Sequence, residues 1–284
     1  MSPDHIAQCA QAAMLIELSS SPKPGNVDRC HDFSDATFQQ FMVSAVTSYP
    51  IFKKAAAGEG RIGQLLLEAV ESWRFWKILG NTHFGSLILM IPLAMAAGKP
   101  PEKSNWPKGE LPRILKESSV DDSIDFYAAF ELAKARVAEV DEFSLKDVTS
   151  SKKLREQSKT LLQLMSLSQG HDLIAREWST DYERTFQLAD RLAEMIMIHG
   201  PNDGIVKTYL EALSNEPDSL VLAKFGADKA TEISFRAKMA LVDGNLEAIR
   251  QLDRELLDED VNPGTTADLI AASLFISLLR GLRF

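Results

Sequence analysis

The chain has 284 residues, and its 31 Lys and Arg against 40 Asp and Glu give a formal net charge of −9 at pH 7. Hydrophobic residues make up 45% and charged residues 25%, which excludes disordered, collagenous and disulfide-framework chains. The acidic balance argues against nucleic-acid binding, which needs a basic surface, but it leaves room for a local basic pocket that binds a phosphorylated small molecule.

Cysteine usage and hydropathy predict a soluble protein without structural metal. Cys9 and Cys30 are the only cysteines, and without a CxxC or HExxH motif we expect no structural zinc. No basic leader precedes an apolar segment, and the longest apolar stretches, residues 84–98 and 269–279, fall short of the ~20 residues of a membrane span. We therefore expect a cytoplasmic protein that does not enter a membrane.

Apolar residues recur with helical spacing along almost the whole chain, beginning with Ile6, Cys9, Ala10 and Ala13. Strand signals are scarce, because neither Asn-Gly turns nor sustained alternation of Val, Ile and Thr occurs. The predicted helices cover residues 6–19, 38–49, 62–78, 87–97, 124–140, 154–167, 182–198, 205–213, 227–241 and 267–282. We expect an all-α protein of about a dozen helices that forms a single domain, residues 1–284.

Two local motifs receive structural interpretations. Gly58 to Gly63 reads GEGRIG and matches the dinucleotide fingerprint GxGxxG by letter, but a helical segment rather than a strand precedes it. We interpret it as a turn between helices, with the alternative that the start of the next helix faces an anion. Near the C-terminus, Thr265 with Asp268 three residues later predicts a capping box at the start of the last helix.

The first polar cluster with chemical potential is the loop of residues 22–32. Two prolines stiffen its backbone, and a glycine permits a close approach, so the loop holds charged groups with little conformational freedom. It carries cations and carboxylates close together: Lys23, Asp28, Arg29, His31 and Asp32. The alternative is an ordinary solvated loop.

The second polar cluster is residues 80–86, which precede a strongly apolar helix. Asn81 or Thr82 is expected to cap this helix, and the free amides of a helix start suit a phosphate. Gly85 in the first turn lowers helix propensity, which is tolerable where a ligand approaches the backbone. The alternative is a plain N-cap.

The third cluster is acidic, and its members are Asp121, Asp122 and Asp125. Asp122 and Asp125 are spaced to share one helix face, where two carboxylates repel unless a cation lies between them. Mg²⁺ bound together with nucleotide phosphates would supply that cation. The alternative is electrostatic stabilisation of a helix that starts at Ser119.

Together these motifs resemble one family, the triphosphoribosyl-dephospho-CoA synthases (CitG/MdcB). The segments that carry the resemblance are residues 21–32 (SPKPGNVDRCHD), 81–85 (NTHFG), 119–127 (SVDDSIDFY), 172–177 (DLIARE) and 263–269 (PGTTADL). The resemblance implies an all-α fold and transfer of the triphosphoribosyl unit of ATP to the 2′-hydroxyl of 3′-dephospho-CoA, with release of adenine. Phe84 replaces a Lys and Asn26 replaces a Leu of the citrate-lyase type, which is typical of an archaeal-like branch. In that branch a tetrahydromethanopterin-type pterin intermediate is the alternative acceptor.

Such a transfer passes through an oxocarbenium-like state, so the site must neutralise a triphosphate and move protons on acceptor and adenine. The residues expected to bind the nucleotide are Lys23, Gly25, Asn26, Arg29, Asn81, Thr82, His83 and Gly85, with Mg²⁺ on Asp122 and Asp125. The residues expected to act in catalysis are Lys23, Asp28, His31 and Asp32. Asp28 or Asp32 is the expected general base, and His31 is the expected acid for the departing adenine.

Other classes remain open at the level of sequence. Asp121 to Asp125 fits DDxxD by letter, which keeps a Mg²⁺–diphosphate-dependent helical enzyme or an ADP-ribosyl-glycohydrolase-like hydrolase in play, although a second acidic motif is missing. A non-enzymatic helical adaptor would bind no adenine nucleotide. For the main hypothesis the expected partners are ATP and a small-molecule acceptor, with neither nucleic acid nor membrane, and a homodimer is the oligomeric form considered.

Overall fold

The computed structural model describes residues 1–33, 36–78, 80–100, 107–135, 155 and 157–284. Within these residues all regular structure is helical, and the backbone forms a single isolated antiparallel bridge, between Asp28 and His31. The all-α prediction is therefore confirmed. The prediction that residues 1–284 make one domain stays a prediction.

The helices of the described residues are numbered in chain order. They are α1 (Pro3–Ser19), α2 (Phe38–Thr47), α3 (Tyr49–Ala57), α4 (Ile62–Phe75), α5 (Phe84–Ala97), α6 (Leu111–Lys116), α7 (Val120–Ala133), α8 (Leu161–Ser168), α9 (Leu173–Ser179), α10 (Glu183–His199), α11 (Pro201–Asn215), α12 (Ser219–Phe225), α13 (Ala227–Asp243), α14 (Leu246–Asp258) and α15 (Gly264–Leu279).

Two helices, α5 and α15, are buried on nearly every side and form the centre of the molecule. Their sequences are apolar all round, which is the composition of a helix enclosed by others rather than one with a solvent face. They pack against each other, and α1 packs against both, while α3 covers α5 and α10 covers α15. The N-terminal ends of α5 and α15 both contribute to the polar site described below.

Pro92 lies inside α5, where a proline has no N–H to donate to the carbonyl of Ile88, four residues earlier. That buried carbonyl has other donors. The indole Nε1 of Trp178 donates to it at 3.3 Å and the hydroxyl of Tyr182 at 3.4 Å. The proline is thus accommodated inside the core helix because two aromatic side chains donate to the carbonyl that it leaves without a backbone partner.

The GEGRIG segment is a turn between two helices, as predicted. Helix α3 ends before Gly58, which is left-handed, and α4 begins at Ile62. The anion at the start of α4 belongs to the protein, because the N–H of Gly63 donates to Oδ1 of Asp122 at 2.8 Å. A Cβ at Gly63 would lie 2.4 Å from the backbone oxygen of Asp122, so glycine lets α4 and α7 pack closely.

The capping box predicted at Thr265 and Asp268 is wrong. Helix α15 begins at Gly264 without a side-chain cap, and Thr265 Oγ1 instead accepts from Ser219 Oγ at 3.1 Å. Asp218 serves the start of α15, because its carboxylate accepts from both the N–H and the hydroxyl of Thr266. Asp268 therefore does not cap its own helix, and its hydrogen-bond partner lies on another helix.

The boundaries of the ten predicted helices are close for most of them and differ most for the ranges 124–140 and 154–167. Helix α7 begins earlier than residue 124 because Ser119 and Asp122 form a capping box, and it ends at Ala133; residues 136–140 lie outside the described part. Of the residues 154–160 that were assigned to a helix, 155 and 157 are helical, 158–160 are not, and 154 and 156 are outside the described part; α8 begins at Leu161. Helices α6, α9, α12 and α14 were not predicted, and α3 was anticipated only as the helical segment before Gly58. Across the described residues, no helix is long and apolar enough to cross a membrane.

Candidate active site

Lys23 is completely buried directly after α1, and its ammonium group donates to Glu17. Glu17 lies on the buried face of α1, next in the helical repeat to Ala13 and Met14. Burial raises the pKa of Glu17, and the contact with Lys23 opposes this rise only in part. The lysine predicted to bind phosphate is therefore held inside the protein by a carboxylate that the sequence analysis overlooked.

Asp28 organises the loop rather than facing solvent. It is fully buried, and its carboxylate accepts from the N–H of Cys30 at 2.7 Å and from the N–H of Lys23 at 3.3 Å. Its backbone also forms the antiparallel bridge with His31. A carboxylate that accepts backbone hydrogen bonds on both oxygens fixes the turn that contains it.

Three contacts fasten the loop to the second half of the chain. The carboxamide of Asn202 bonds to both the N–H and the C=O of Ser21, at 3.0 and 2.9 Å. The buried hydroxyl of Tyr209 donates to the carbonyl of Pro24 at 3.0 Å. These bonds tie residues more than 180 positions apart, so the loop is a fixed part of the core.

Gly25 is required by both its conformation and its surroundings. Its φ is 71°, which favours glycine, and a Cβ would lie 2.4 Å from the carbonyl oxygen of Val261. Its N–H donates to Oδ1 of Asp253 on α14 at 3.0 Å, and the neighbouring Asn26 donates to Asn262 Oδ1 at 2.9 Å. Both residues predicted to touch the nucleotide thus contact the protein itself, against α14 and the segment that follows it.

His31 lies between two carboxylates at the rim of the loop. Its Nδ1 is 3.3 Å from Oδ2 of Asp253 and 3.5 Å from Oδ1 of Asp28, and about a third of its side chain is exposed. Burial raises the pKa of Asp253. The outermost residues are Arg29, whose guanidinium donates to Asn202 Oδ1 at 3.3 Å, and Asp32, which accepts from Phe38 at the start of α2.

The start of α5 carries polar groups without partners. The Asn81 carboxamide accepts from the N–H of Phe84 at 3.3 Å, so Asn81 rather than Thr82 serves this helix start. Thr82 Oγ1 and His83 Nε2 are buried, and neither has a hydrogen-bond partner among the described residues. Buried polar groups are nearly always bonded, so this pair marks a position where a polar ligand would be satisfied.

His83 is an uncharged imidazole in the core. Its Nδ1 bonds to Ser44 Oγ, and its ring packs edge-on against Phe41 with centroids 4.7 Å apart. Burial, with a smaller contribution from the charge of Lys23, lowers the pKa of His83 to about 3. The charge of Lys23 therefore reaches His83, and the loop and the start of α5 lie close together in the fold.

A carboxylate from α15 occupies the space that a side chain at Gly85 would need. A Cβ at this position would lie 2.1 Å from Oδ2 of Asp268, and Ser86 Oγ donates to Oδ1 of the same carboxylate at 2.5 Å. Burial raises the pKa of Asp268 to about 8, and the negative charge of Glu17 adds to this. The loop, the start of α5 and the start of α15 thus form one cluster around Glu17, which we call the Glu17 cluster: Glu17, Lys23, Thr82, His83, Ser86 and Asp268.

Asp122 and Asp125 lie on α7 and contact Arg61. One guanidinium nitrogen is 3.2 Å from Asp122 Oδ1 and the other 2.8 Å from Asp125 Oδ2. Asp122 also accepts from Gly63 and, through Oδ2, from Ser119. Arg61 is the cation that lies between these carboxylates in the structure, and the described residues contain no group of three or more His, Cys, Asp or Glu arranged to hold a metal. The metal role of this pair stays a prediction.

A protein-family model described as ATP:dephospho-CoA triphosphoribosyl transferase (CitG) matches residues 3–283, nearly the whole chain. The chain belongs to this family. It is accordingly a transferase enzyme of cofactor biosynthesis, as the resemblance of its motifs predicted, and ATP is the substrate of the family reaction.

Individual relatives agree with the family assignment along their whole length. A protein of Streptococcus equi subsp. zooepidemicus is 27% identical, and the match covers 97% of each chain; one of Malonomonas rubra is 23% identical over 98% of this chain and 89% of its own. Both are named 2-(5''-triphosphoribosyl)-3'-dephosphocoenzyme-A synthases. A crystal structure from Archaeoglobus fulgidus, named a triphosphoribosyl-dephospho-CoA synthase, has a TM-score of 0.72 and 27% identity, covering 85% of this chain and all of that one. Archaeal and bacterial relatives are thus equally similar, and the archaeal-like branch stays a prediction.

Three acidic residues of this candidate site were missed from the sequence: Glu17, Asp253 and Asp268. Each lies on the buried face of a helix rather than in a polar loop. A signal was present, because Asp268 is the only charged residue of α15 and Glu17 interrupts the apolar stripe of α1. A lone carboxylate at a core position calls for a specific partner.

Proposed function

We propose that the chain transfers the 5′-triphosphoribosyl unit of ATP to the 2′-hydroxyl of 3′-dephospho-CoA and releases adenine. The match of the family model across residues 3–283 supports this reaction, and so do the names of the full-length relatives. The names of these relatives refer to dephospho-CoA and do not favour the tetrahydromethanopterin-type acceptor. Cytoplasmic location and a homodimer stay predictions.

The observation that carries the site assignment is the Glu17 cluster. Motif segments that lie far apart in the chain, the loop after α1 and the starts of α5 and α15, contribute to one polar group of side chains inside an apolar core. Such a group is costly to bury, and a fold without a polar ligand would be more stable with apolar residues there. Thr82 and His83 still offer unpaired polar atoms to that ligand.

Within this proposal, the solvent exposure of each charged residue of the loop indicates its role. Arg29 is exposed at the rim and is the cation available to the triphosphate, while Lys23 contributes its charge from inside the cluster. Asp32 is exposed and can accept the proton of the acceptor hydroxyl, whereas the buried Asp28 positions His31. Mg²⁺ enters as the counter-ion that ATP carries from solution, and no step depends on a protein-bound metal.

Product analysis tests the reaction. Purified protein with ATP, Mg²⁺ and 3′-dephospho-CoA is expected to release adenine in equal amount to a dephospho-CoA product enlarged by a triphosphoribosyl unit. Chromatography with mass detection separates these products from ADP. Release of ADP would point to a kinase, and adenine formed at the same rate without an acceptor would point to a hydrolase.

Replacement of Lys23 tests whether the Glu17 cluster is the active site. Because Lys23 forms a buried ion pair with Glu17, both residues must be changed together. Lys23→Ala alone leaves Glu17 buried without a partner, which costs about 3–5 kcal/mol of stability. The matched double variant Lys23→Met with Glu17→Gln removes both charges and leaves neither unpaired. We expect it to retain the helical circular dichroism spectrum and to lose turnover. A folded double variant with full turnover would contradict the site assignment.

A further inference from the structure

The carboxyl group of Asp268 is held in one place against the first turn of α5. The hydroxyl of Ser86 donates to Oδ1 at 2.5 Å. Oδ2 lies where residue 85 would carry its Cβ, so the approach depends on Gly85. The hydroxyl of Ser86 and the absence of a side chain at Gly85 together fix the carboxyl within the Glu17 cluster.

The surroundings keep this carboxyl protonated at neutral pH. Burial raises the pKa of Asp268 to about 8; the negative charges of Glu17 on α1 and Asp218 before α12 add to the rise, and the bonds from Ser86 oppose it. Asp268 as a whole residue nevertheless keeps partial solvent exposure, unlike the buried Ser86 beside it. A protonated carboxylic acid that solvent can reach is a proton donor at the pH of the cell.

The polar atoms beside it fit a purine. Thr82 Oγ1 and His83 Nε2 are unpaired in the segment that leads to Gly85, and both side chains are more than nine-tenths buried. His83 is neutral because its pKa is near 3, so it interacts through hydrogen bonds rather than charge. An adenine ring offers acceptors and an amino donor at its edge, and it is the leaving group of the proposed reaction.

We propose that Asp268 is the general acid that protonates N7 of the departing adenine. As the C1′–N9 bond breaks, its electron pair passes into the purine while the proton of Asp268 moves to N7. The acceptor oxygen forms the new bond to C1′, and its proton passes to the general base. Asp268 then regains a proton from solvent. This assignment rests on the proposed function, and it takes the role that the sequence analysis gave to His31.

His31 is the competing acid, and its environment differs. Its Nδ1 faces Asp253 and Asp28 at the loop, and none of the described contacts of His31 involves the start of α5. Asp268 instead touches the segment that carries the unpaired polar atoms. The two candidates can be separated by variants of each residue.

The test compares the wild type with Asp268→Asn, which retains an oxygen for the bond from Ser86. The wild-type rate of adenine release should fall above pH 8 as the acid loses its proton. The variant should lose about 10²–10⁴-fold in kcat and should no longer show this alkaline fall. His31→Gln should retain the alkaline fall. A variant that keeps the wild-type kcat and pH profile would overturn the assignment, as would loss of the alkaline fall in His31→Gln alone.

A second donor separates acid catalysis from structural damage. N7-methyl-ATP carries a cationic base that leaves without protonation, so it should restore turnover to Asp268→Asn, or to Asp268→Ala, which leaves more room for the methyl group. Arg29→Gln is the control, and it should impair both donors alike. The Asp268 variants must first be shown to fold. If they then lose turnover equally with both donors because they no longer bind ATP, the proposal is overturned. Failure of the wild type to release adenine would instead overturn the proposed function.

Discussion

Gly85→Ala is a single-methyl change that the geometry of the site makes severe. The new Cβ would lie 2.1 Å from Oδ2 and 2.7 Å from Cγ of Asp268, and also 2.7 Å from Cδ1 of Ile174. Contacts this short cannot persist, so either the carboxyl or the first turn of α5 must move. Either movement separates Asp268 from Ser86.

The expected change in the free energy of unfolding of Gly85→Ala is the sum of opposing contributions. Alanine favours a helix over glycine by up to about 1 kcal/mol, which stabilises the variant. Overpacking a close contact costs about 1–3 kcal/mol, and loss of a buried hydrogen bond adds about 0.5–1.5 kcal/mol. The free energy of unfolding should therefore fall by about 1–3 kcal/mol. Turnover should fall further than stability does, because the displaced carboxyl belongs to the proposed site.

Urea unfolding followed by circular dichroism measures the stability, and adenine release measures the turnover. Gly170→Ala is the matched control, because nothing lies within 4 Å of a Cβ at that position. The control should match the wild type in both assays. A Gly85→Ala protein with wild-type stability and turnover would refute the close packing of α5 against α15.

Further predictions concern stability. The folded-state pKa of Asp268, about 8, lies above its ordinary value of 3.8. The protonated group therefore stabilises the fold at low pH, and this contribution is lost as pH rises from about 4 to 8. Urea unfolding across this range should show a steeper fall in the free energy of unfolding for the wild type than for Asp268→Asn. Arg61→Ala should lower the free energy of unfolding by about 1–3 kcal/mol, because the buried Asp122 loses a charged donor; an unchanged urea midpoint would contradict this. Tyr209→Phe should cost about 1–2 kcal/mol in the same assay by leaving the carbonyl of Pro24 without its donor, and a fully stable variant would show that this bond does not hold the loop.

Local patterns in the sequence predicted the helical class, most helices and the two segments that meet near Lys23 and His83. These features depend on periodicity and on glycine and proline placement, which a short window contains. The motifs also indicated the family, because several of them occur in order along the chain.

Long-range partners could not be predicted in the same way. Asp268 was assigned to a local cap three residues away, but its partner is Ser86, 182 positions distant. Helix α14 was overlooked, and with it Asp253, which contacts Gly25 across 228 positions. Which carboxylate meets which loop depends on how the helices pack, and a single sequence does not encode that packing in any local pattern.

The most direct test of the central claim follows both products of one reaction. Protein, ATP, Mg²⁺ and 3′-dephospho-CoA should give adenine and the triphosphoribosyl product in a one-to-one ratio, and the Lys23→Met, Glu17→Gln double variant should give neither while remaining folded. Formation of ADP, or adenine without the coupled product, would contradict the account.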